Sequence, residues 1–310
     1  MNFDLSVFLR GFAMGTADLV PGVSGGTIAL ITGIYDRLIS AIAAIDMKTL
    51  GMVFQGDIKG AWQRVDASFL VTLAGGMFTA IIVLASSIDW AMKEYPLPLW
   101  SFFFGLVLAS TISLATTLRS EFSSSQFVAA VLGAGVAAAI ALGQAVTLDT
   151  SLLGFFLAGM IAICAMVLPG ISGSFLLLLM GMYQPVISAL VAVDIPMLAV
   201  FFAGCLIGLL AFARVLKALL ARYRVTTLST LIGVLAGSLI ALWPWQAVVA
   251  SITDRHGEMR AIQSVPISPI TYGETIGDPM LGLCVFALLF GVMVVVTVGK
   301  LSKPTEWSAG

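Results

Sequence analysis

The sequence predicts an all-α polytopic membrane protein built of two inverted repeats, each a broken or re-entrant helix pair followed by three transmembrane helices. Three observations carry that expectation. Of 310 residues, 60% are hydrophobic and only 10% charged, with mean hydropathy +1.08, which leaves too little polar surface for a water-facing exterior. The apolar pattern is interrupted twice in the same way: Pro21-Gly22-Val23-Ser24-Gly25-Gly26-Thr27 returns as Pro169-Gly170-Ile171-Ser172-Gly173-Ser174. Downstream, Gly33-Ile34-Tyr35, Ile39-Ser40-Ala41 and Asp46 return as Gly181-Met182-Tyr183, Ile187-Ser188-Ala189 and Asp194, all displaced by 148 residues. Lastly, lysine and arginine are distributed to one side of the expected spans.

The elements follow in order within a single transmembrane domain, residues 1–147 forming the first repeat and 148–310 the second. Residues 5–19 are apolar but too few for the ~20 that a spanning helix needs. After the break, 24–45 forms a second arm, and Asp46 to Asp66 is mixed and polar. Full spans are expected at 67–89, 98–118 and 125–146. The second half repeats the order with arms at 152–168 and 174–193 and spans at 197–221, 226–246 and 280–300. Trp90, Tyr95, Trp100, Trp243 and Trp245 fall at span ends, where amphipathic rings suit the headgroup layer. Ser251 to Asp278 is the one long polar loop, read as a connector or as a lid, and it holds the sole histidine, His256.

Cytoplasmic loops carry the excess of positive residues. If each broken pair enters and returns to the same face, Arg10, Lys48, Lys59, Arg64, Arg119, Arg214, Lys217, Arg222, Arg224, Lys300 and Lys303 share one side against Lys93, Arg255 and Arg260 on the other. If each pair is one interrupted crossing, the same residues divide almost evenly. The returning pair therefore predicts cytoplasmic termini and an odd number of passes per half, which inverts the second half relative to the first. Transporters of this plan place their sites at the repeat interface, on broken helices. A net charge of −1 gives no reason to expect a nucleic-acid partner, and Cys164, Cys205 and Cys284 lie in apolar segments without paired or zinc-binding spacing. No cofactor or metal is expected. No basic-then-apolar leader precedes the first motif, so no signal peptide is expected either.

Non-helical backbone at membrane depth persists only where protein buries it or a cavity needs it. Ser24 and Ser172 stand where N-caps belong, so the N–H groups of Gly25, Gly26 and Thr27, and of Gly173, Ser174 and Phe175, are the expected free donors of new helices. Such an end attracts an anion through its N–H groups and its partial positive charge. Close helix packing through small residues is the other reading of the same glycines. The halves differ: Thr16, Asp18, Asp36 and Arg37 correspond to Cys164, Met166, Gln184 and Pro185. Arg37 is a candidate counter-charge for a bound phosphate, or else half of an interfacial pair with Asp36. Asp18 is a candidate coupling-ion carrier, for a proton or Na⁺, or else a helix cap.

At these residues the chain resembles the PopT-type polyprenyl-phosphate transporters, formerly a family of unknown function. The resemblance rests on Ala17-Asp18-Leu19-Val20-Pro21-Gly22-Val23-Ser24-Gly25-Gly26-Thr27 and Pro169-Gly170-Ile171-Ser172-Gly173-Ser174-Phe175. It implies a non-enzymatic protein of the bacterial cytoplasmic membrane that flips undecaprenyl phosphate for carrier recycling, with polyprenyl phosphate and membrane lipids as partners. Ser24, Gly25, Gly26, Thr27, Ser172, Gly173, Ser174 and Arg37 are the expected headgroup contacts. A transporter of small organic anions is the alternative. Integral-membrane polyprenyl-pyrophosphate phosphatases share a Pro-Gly-x-Ser turn, but theirs continues with arginine and needs paired glutamates. Here Gly25 and Gly173 replace that arginine, and Glu94, Glu121, Glu258, Glu274 and Glu306 lie outside the broken pairs.

Overall fold

The computed structural model describes residues 4–20, 23–143, 148–253 and 259–301, with side chains outside 250–263 and 298–301. α1 (Leu5–Asp18) starts on Asp4, whose carboxylate accepts the Ser6 N–H at 2.9 Å. Beyond the first break, α2 (Gly25–Ile31) starts on Ser24, and α3 (Tyr35–Ala43) bends from it by 117°. The 14 residues of α1 rise about 21 Å and the 7 of α2 about 10 Å, less than the ~30 Å apolar core, so neither helix is long enough to cross alone. Two short helices, α4 (Met47–Phe54) and α5 (Ile58–Arg64), lead into α6 (Ala67–Glu94), α7 (Pro96–Thr117) and α8 (Ser124–Leu142).

The second half runs through α9 (Leu152–Val167), α10 (Gly173–Leu179), α11 (Tyr183–Val191), α12 (Ile195–Arg222) and α13 (Arg224–Leu242). An antiparallel hairpin of β1 (Gln246–Thr253) and β2 (Met259–Pro266) follows, then α14 (Pro269–Thr275) and α15 (Leu281–Leu301). Among the described residues, five helices, α6, α7, α8, α12 and α13, are long and apolar enough to cross a membrane, or up to seven segments if each bent pair is one span. α15 carries one charge, Lys300, in 21 residues and packs along α7. The chain is thus an all-α polytopic membrane protein, with the hairpin as its departure from helix among the described residues.

Several boundaries differ from the sequence reading. Each second arm, 24–45 and 174–193, is two helices rather than one, because Gly33 (φ 72°) and Gly181 (φ 66°) turn into the left-handed region, where a helix cannot continue; the α10–α11 bend is 106°. The spans read at 125–146 and 226–246 end at Leu142 and Leu242, and the polar loop is largely the hairpin and α14. Pro21, Gly22, Arg255, His256, Glu258, Lys303 and Glu306 lie outside the described residues. Trp245 is buried, and its indole N–H donates to Pro279 O at 2.9 Å, while that of Trp243 donates to Ile267 O at 2.9 Å. Trp243 thus ties the end of α13 to the residue after β2, and Trp245 holds the residue two before α15; Trp100 is half-buried, and Trp90 and Tyr95 are exposed.

The long helices sharpen the repetition. α6 and α12 each have 28 residues and start at Ala67 and Ile195, so the offset between halves drops from 148 to 128 between the bent pair and the long helix. The missing 20 residues are those of the α4–α5 segment, which has no counterpart in the second half. Helices pair as α1 with α6, α9 with α12, α7 with α15 and α8 with α13. Glycine makes each pair close: a Cβ on Gly76, Gly204, Gly291 or Gly233 would fall on the carbonyl oxygen of Phe8, Phe156, Phe102 or Ala130.

Candidate functional site at the two helix breaks

The two breaks meet, through hydroxyls of the first half and backbone of the second. Ser24 Oγ caps α2 by accepting the Gly26 N–H at 3.1 Å and shares its proton between Met166 O and Leu168 O, each 3.2 Å away. Tyr35 Oη donates to Val167 O at 3.1 Å, and the Gly170 N–H donates to Thr27 Oγ1 at 2.9 Å. Met166, Val167 and Leu168 end α9, where helical carbonyls have no intrahelical partner, and the three hydroxyls supply what that end lacks. Ser24, Thr27 and Tyr35 are at most 2% exposed, so this is a dry polar joint with its groups satisfied. Gly26 permits the approach, since a Cβ there would lie 2.8 Å from Val167 O.

The first helix start is not open in this structure. Asp18 Oδ1 accepts the Gly25 N–H at 2.6 Å, Ser24 Oγ takes that of Gly26, and the Thr27 N–H bonds to Ser24 O at 2.9 Å. The expectation of three free donors therefore fails at Gly25, Gly26 and Thr27, because the chain brings its own carboxylate and hydroxyl to them.

The second start is built alike but left uncapped. A Cβ on Gly25 would meet Asp18 Oδ2 at 2.6 Å, and one on Gly173 would meet Met166 Cγ at the same 2.6 Å. Met166 occupies the place of Asp18 and has no oxygen to offer. Ser172 Oγ turns to Ser174 Oγ at 2.9 Å and caps nothing. Among the described residues, the N–H groups of Gly173, Ser174 and Phe175 make no hydrogen bond. Beside them a small crevice opens between α8 and α13, walled by Ala137, Ile140, Ala241 and Ser238 and floored by Gly170 to Ser172.

Arg37 is not brought to either start. Its Nε donates to Asp66 Oδ2 at 2.6 Å, and its guanidinium lies 4.3 Å from the centre of the Phe69 ring. Nor does it pair with Asp36, whose Oδ2 accepts from Arg224 at 2.7 Å. Arg37 thus ties α3 to the start of α6, while the Asp36–Arg224 pair and Arg214, which donates to Ile45 O at 2.6 Å, fasten α3 to the start of α13 and to α12. α11, the counterpart of α3, makes no comparable contact with α6. Sequence reasoning missed Tyr35 as a joint residue; its signal was the Gly-x-Tyr repeat, noted only as register.

A family model described as VCA0040-like, undecaprenyl phosphate translocase-like, matches residues 14–260. The chain is 40% identical over 296 residues to a polyprenyl-phosphate transporter of Vibrio cholerae, covering 96% of each chain. It is 34% identical over 253 residues to a polyprenyl-phosphate transporter of Staphylococcus aureus, covering 76% of this chain and 85% of that one. No solved structure matches. The matched region holds both breaks and every helix from α2 to α13, and the chain belongs to the undecaprenyl phosphate translocase-like family.

Proposed function

We propose that this protein flips polyprenyl phosphate, undecaprenyl phosphate in particular, between the leaflets of the bacterial cytoplasmic membrane, with its halves inverted and both termini in the cytoplasm. The observation that carries this reading is the difference between two otherwise equivalent helix starts: one is occupied by the protein's own carboxylate, the other is uncapped beside a crevice. The phosphate is received at Ser172, Gly173 and Ser174, where free N–H groups and the helix dipole favour an anion. Ser24 and Thr27, next to Gly25 and Gly26, brace the turn ahead of that start through Leu168 O and the Gly170 N–H. Returning a phosphate inward moves negative charge toward a negative interior, against about 2.3 kcal/mol per charge per 100 mV. A co-transported proton or Na⁺ offsets this, and we assign its uptake to Asp18: once neutralised, the carboxyl weakens its hold on the Gly25 N–H, which becomes a further donor to the phosphate.

The test is reconstitution in liposomes with a labelled polyprenyl phosphate, measuring flip against efflux of small carboxylates. Flip without efflux is expected; efflux without flip would sink the lipid reading. Outside acidity should speed inward flip in the wild type and not in Asp18→Asn. An equal gradient response in both removes Asp18 from the coupling and leaves equilibration through the helix starts.

A further inference from the structure

The α4–α5 segment is the part of the first half that the second lacks, so the duplicated architecture does not require it. It is also built inside out for a soluble element. On α4, Met47, Leu50 and Phe54 recur at helical spacing and so share a face, and they are 82%, 46% and 88% exposed. On α5, Ile58 and Trp62 continue the stripe at 65% and 38% exposure. What faces inward is small or polar: Thr49 and Ala61 are buried, and Gly60 lies against Met52.

The segment is nonetheless firmly made. Asp46 accepts the Thr49 N–H at 2.9 Å and Asp57 that of Gly60 at 2.9 Å, while Gly56 makes the corner at φ 82°. Arg64 closes the pair by donating to Asp46 Oδ2 at 2.7 Å and Thr49 Oγ1 at 3.0 Å. The Thr49 N–H and then the Arg64 guanidinium hold the Asp46 carboxyl down at about 2, so the clasp stays ionised at ordinary pH. It is tied to a long helix as well: the Trp62 indole donates to Ser68 Oγ at 2.9 Å, in the first turn of α6, which is long and apolar enough to cross. Neither helix spans, since 8 residues rise only about 12 Å. Lys48 and Lys59 are exposed and, among the described residues, form no ion pair.

We propose that α4 and α5 form an amphipathic foot that lies in the headgroup layer at the basic end of the bundle, its apolar stripe in the lipid and Lys48 and Lys59 on anionic phospholipid. Three features favour a lipid surface over a second protein copy. Trp62, at the end of the stripe, is bonded to the first turn of α6, whose Val71 is also exposed, the lysines flank the stripe as in interfacial helices, and the helices lie where the bundle's arginines gather. The foot would also hold the α3 end of the bent pair at a set depth, because Asp46 caps α4 just after α3 ends.

The test uses full-length protein in nanodiscs, with Cys164, Cys205 and Cys284 replaced by alanine and a polarity-sensitive dye on Phe54→Cys or, as a polar-face control, on Gln63→Cys. The Phe54 label is expected to shift to the blue and to be quenched by headgroup spin labels while resisting iodide, the Gln63 label to behave as in water. Phosphatidylglycerol should strengthen the protection, by about fivefold for each lysine. Lys48→Gln/Lys59→Gln should lose that increment alone. Equal iodide quenching at both positions overturns the proposal, as does protection that vanishes at one protein per disc, which would identify a second copy as the occupant. An Ile58→Cys label in an independent variant repeats the readout should Phe54→Cys fold poorly.

Discussion

Exchanging Met166 for aspartate should close the second helix start as Asp18 closes the first. A carboxylate at a helix N-terminus is worth about 1–2 kcal/mol in a partly buried setting, so transport is expected to fall roughly five- to thirtyfold. Met166→Leu should leave it near wild type, and unchanged flipping in Met166→Asp would remove α10's start from the headgroup path. Valine at Gly173 is a poorer probe, because even its Cβ would press to 2.5 Å on Ala162 O and disturb packing besides blocking the donors. At Tyr35 the expectation concerns stability. Tyr35→Phe keeps the ring but leaves Val167 O, at a half-buried residue, without its partner, at a cost of about 1 kcal/mol, read as a lowered unfolding midpoint in detergent. An unshifted midpoint would mean that the ring alone matters.

At the scale of elements, the fastening of α3 is one-sided. The counterparts of Asp36 and Arg224 by their respective offsets are Gln184 and Pro96, which cannot form an ion pair, and α11 does not pack on α6 as α3 packs on α12. The Asp36–Arg224 pair is 38–42% exposed and so is worth at most about 1 kcal/mol, a catch and not a lock. Asp36→Ala should raise the accessibility of a cysteine at Leu30 up to about fivefold, and Arg224→Ala should do the same. Accessibility that stays flat in both would show that packing, not charge, holds α3.

These same elements mark what the sequence can disclose. Hydrophobic runs locate α6, α7, α8, α12, α13 and α15 to within a few residues, because a span must be long and apolar wherever it packs. The corners at Gly33 and Gly181 escape that reading, since α2 and α3 are both apolar enough to look continuous and only backbone sign separates them. Ser24, Gly25, Gly26, Thr27, Ser172 and Gly173 are legible as two helix starts. That the first start is filled by Asp18, and that Arg37 turns to Asp66, depends on which side chains the fold brings near, and no local pattern carries that.

For the molecule as a whole, inversion predicts that the α4–α5 segment and the hairpin stand on opposite sides of the membrane. Single cysteines at Lys59 and Val249 should label from the cytoplasmic and the outer side respectively with an impermeant reagent, and labelling of both from one side would exclude the arrangement. The joint of Ser24, Thr27 and Tyr35 with the end of α9 bears on how such a body moves. We read it as an axle for the proposed flip. With α2 and the end of α9 bonded to each other, a tilt that parts α3 from α12 on one side would swing the other side inward, as the two arms of a seesaw share one fulcrum. A leak would need both sides open together, a posture that a rigid beam on one fulcrum does not have.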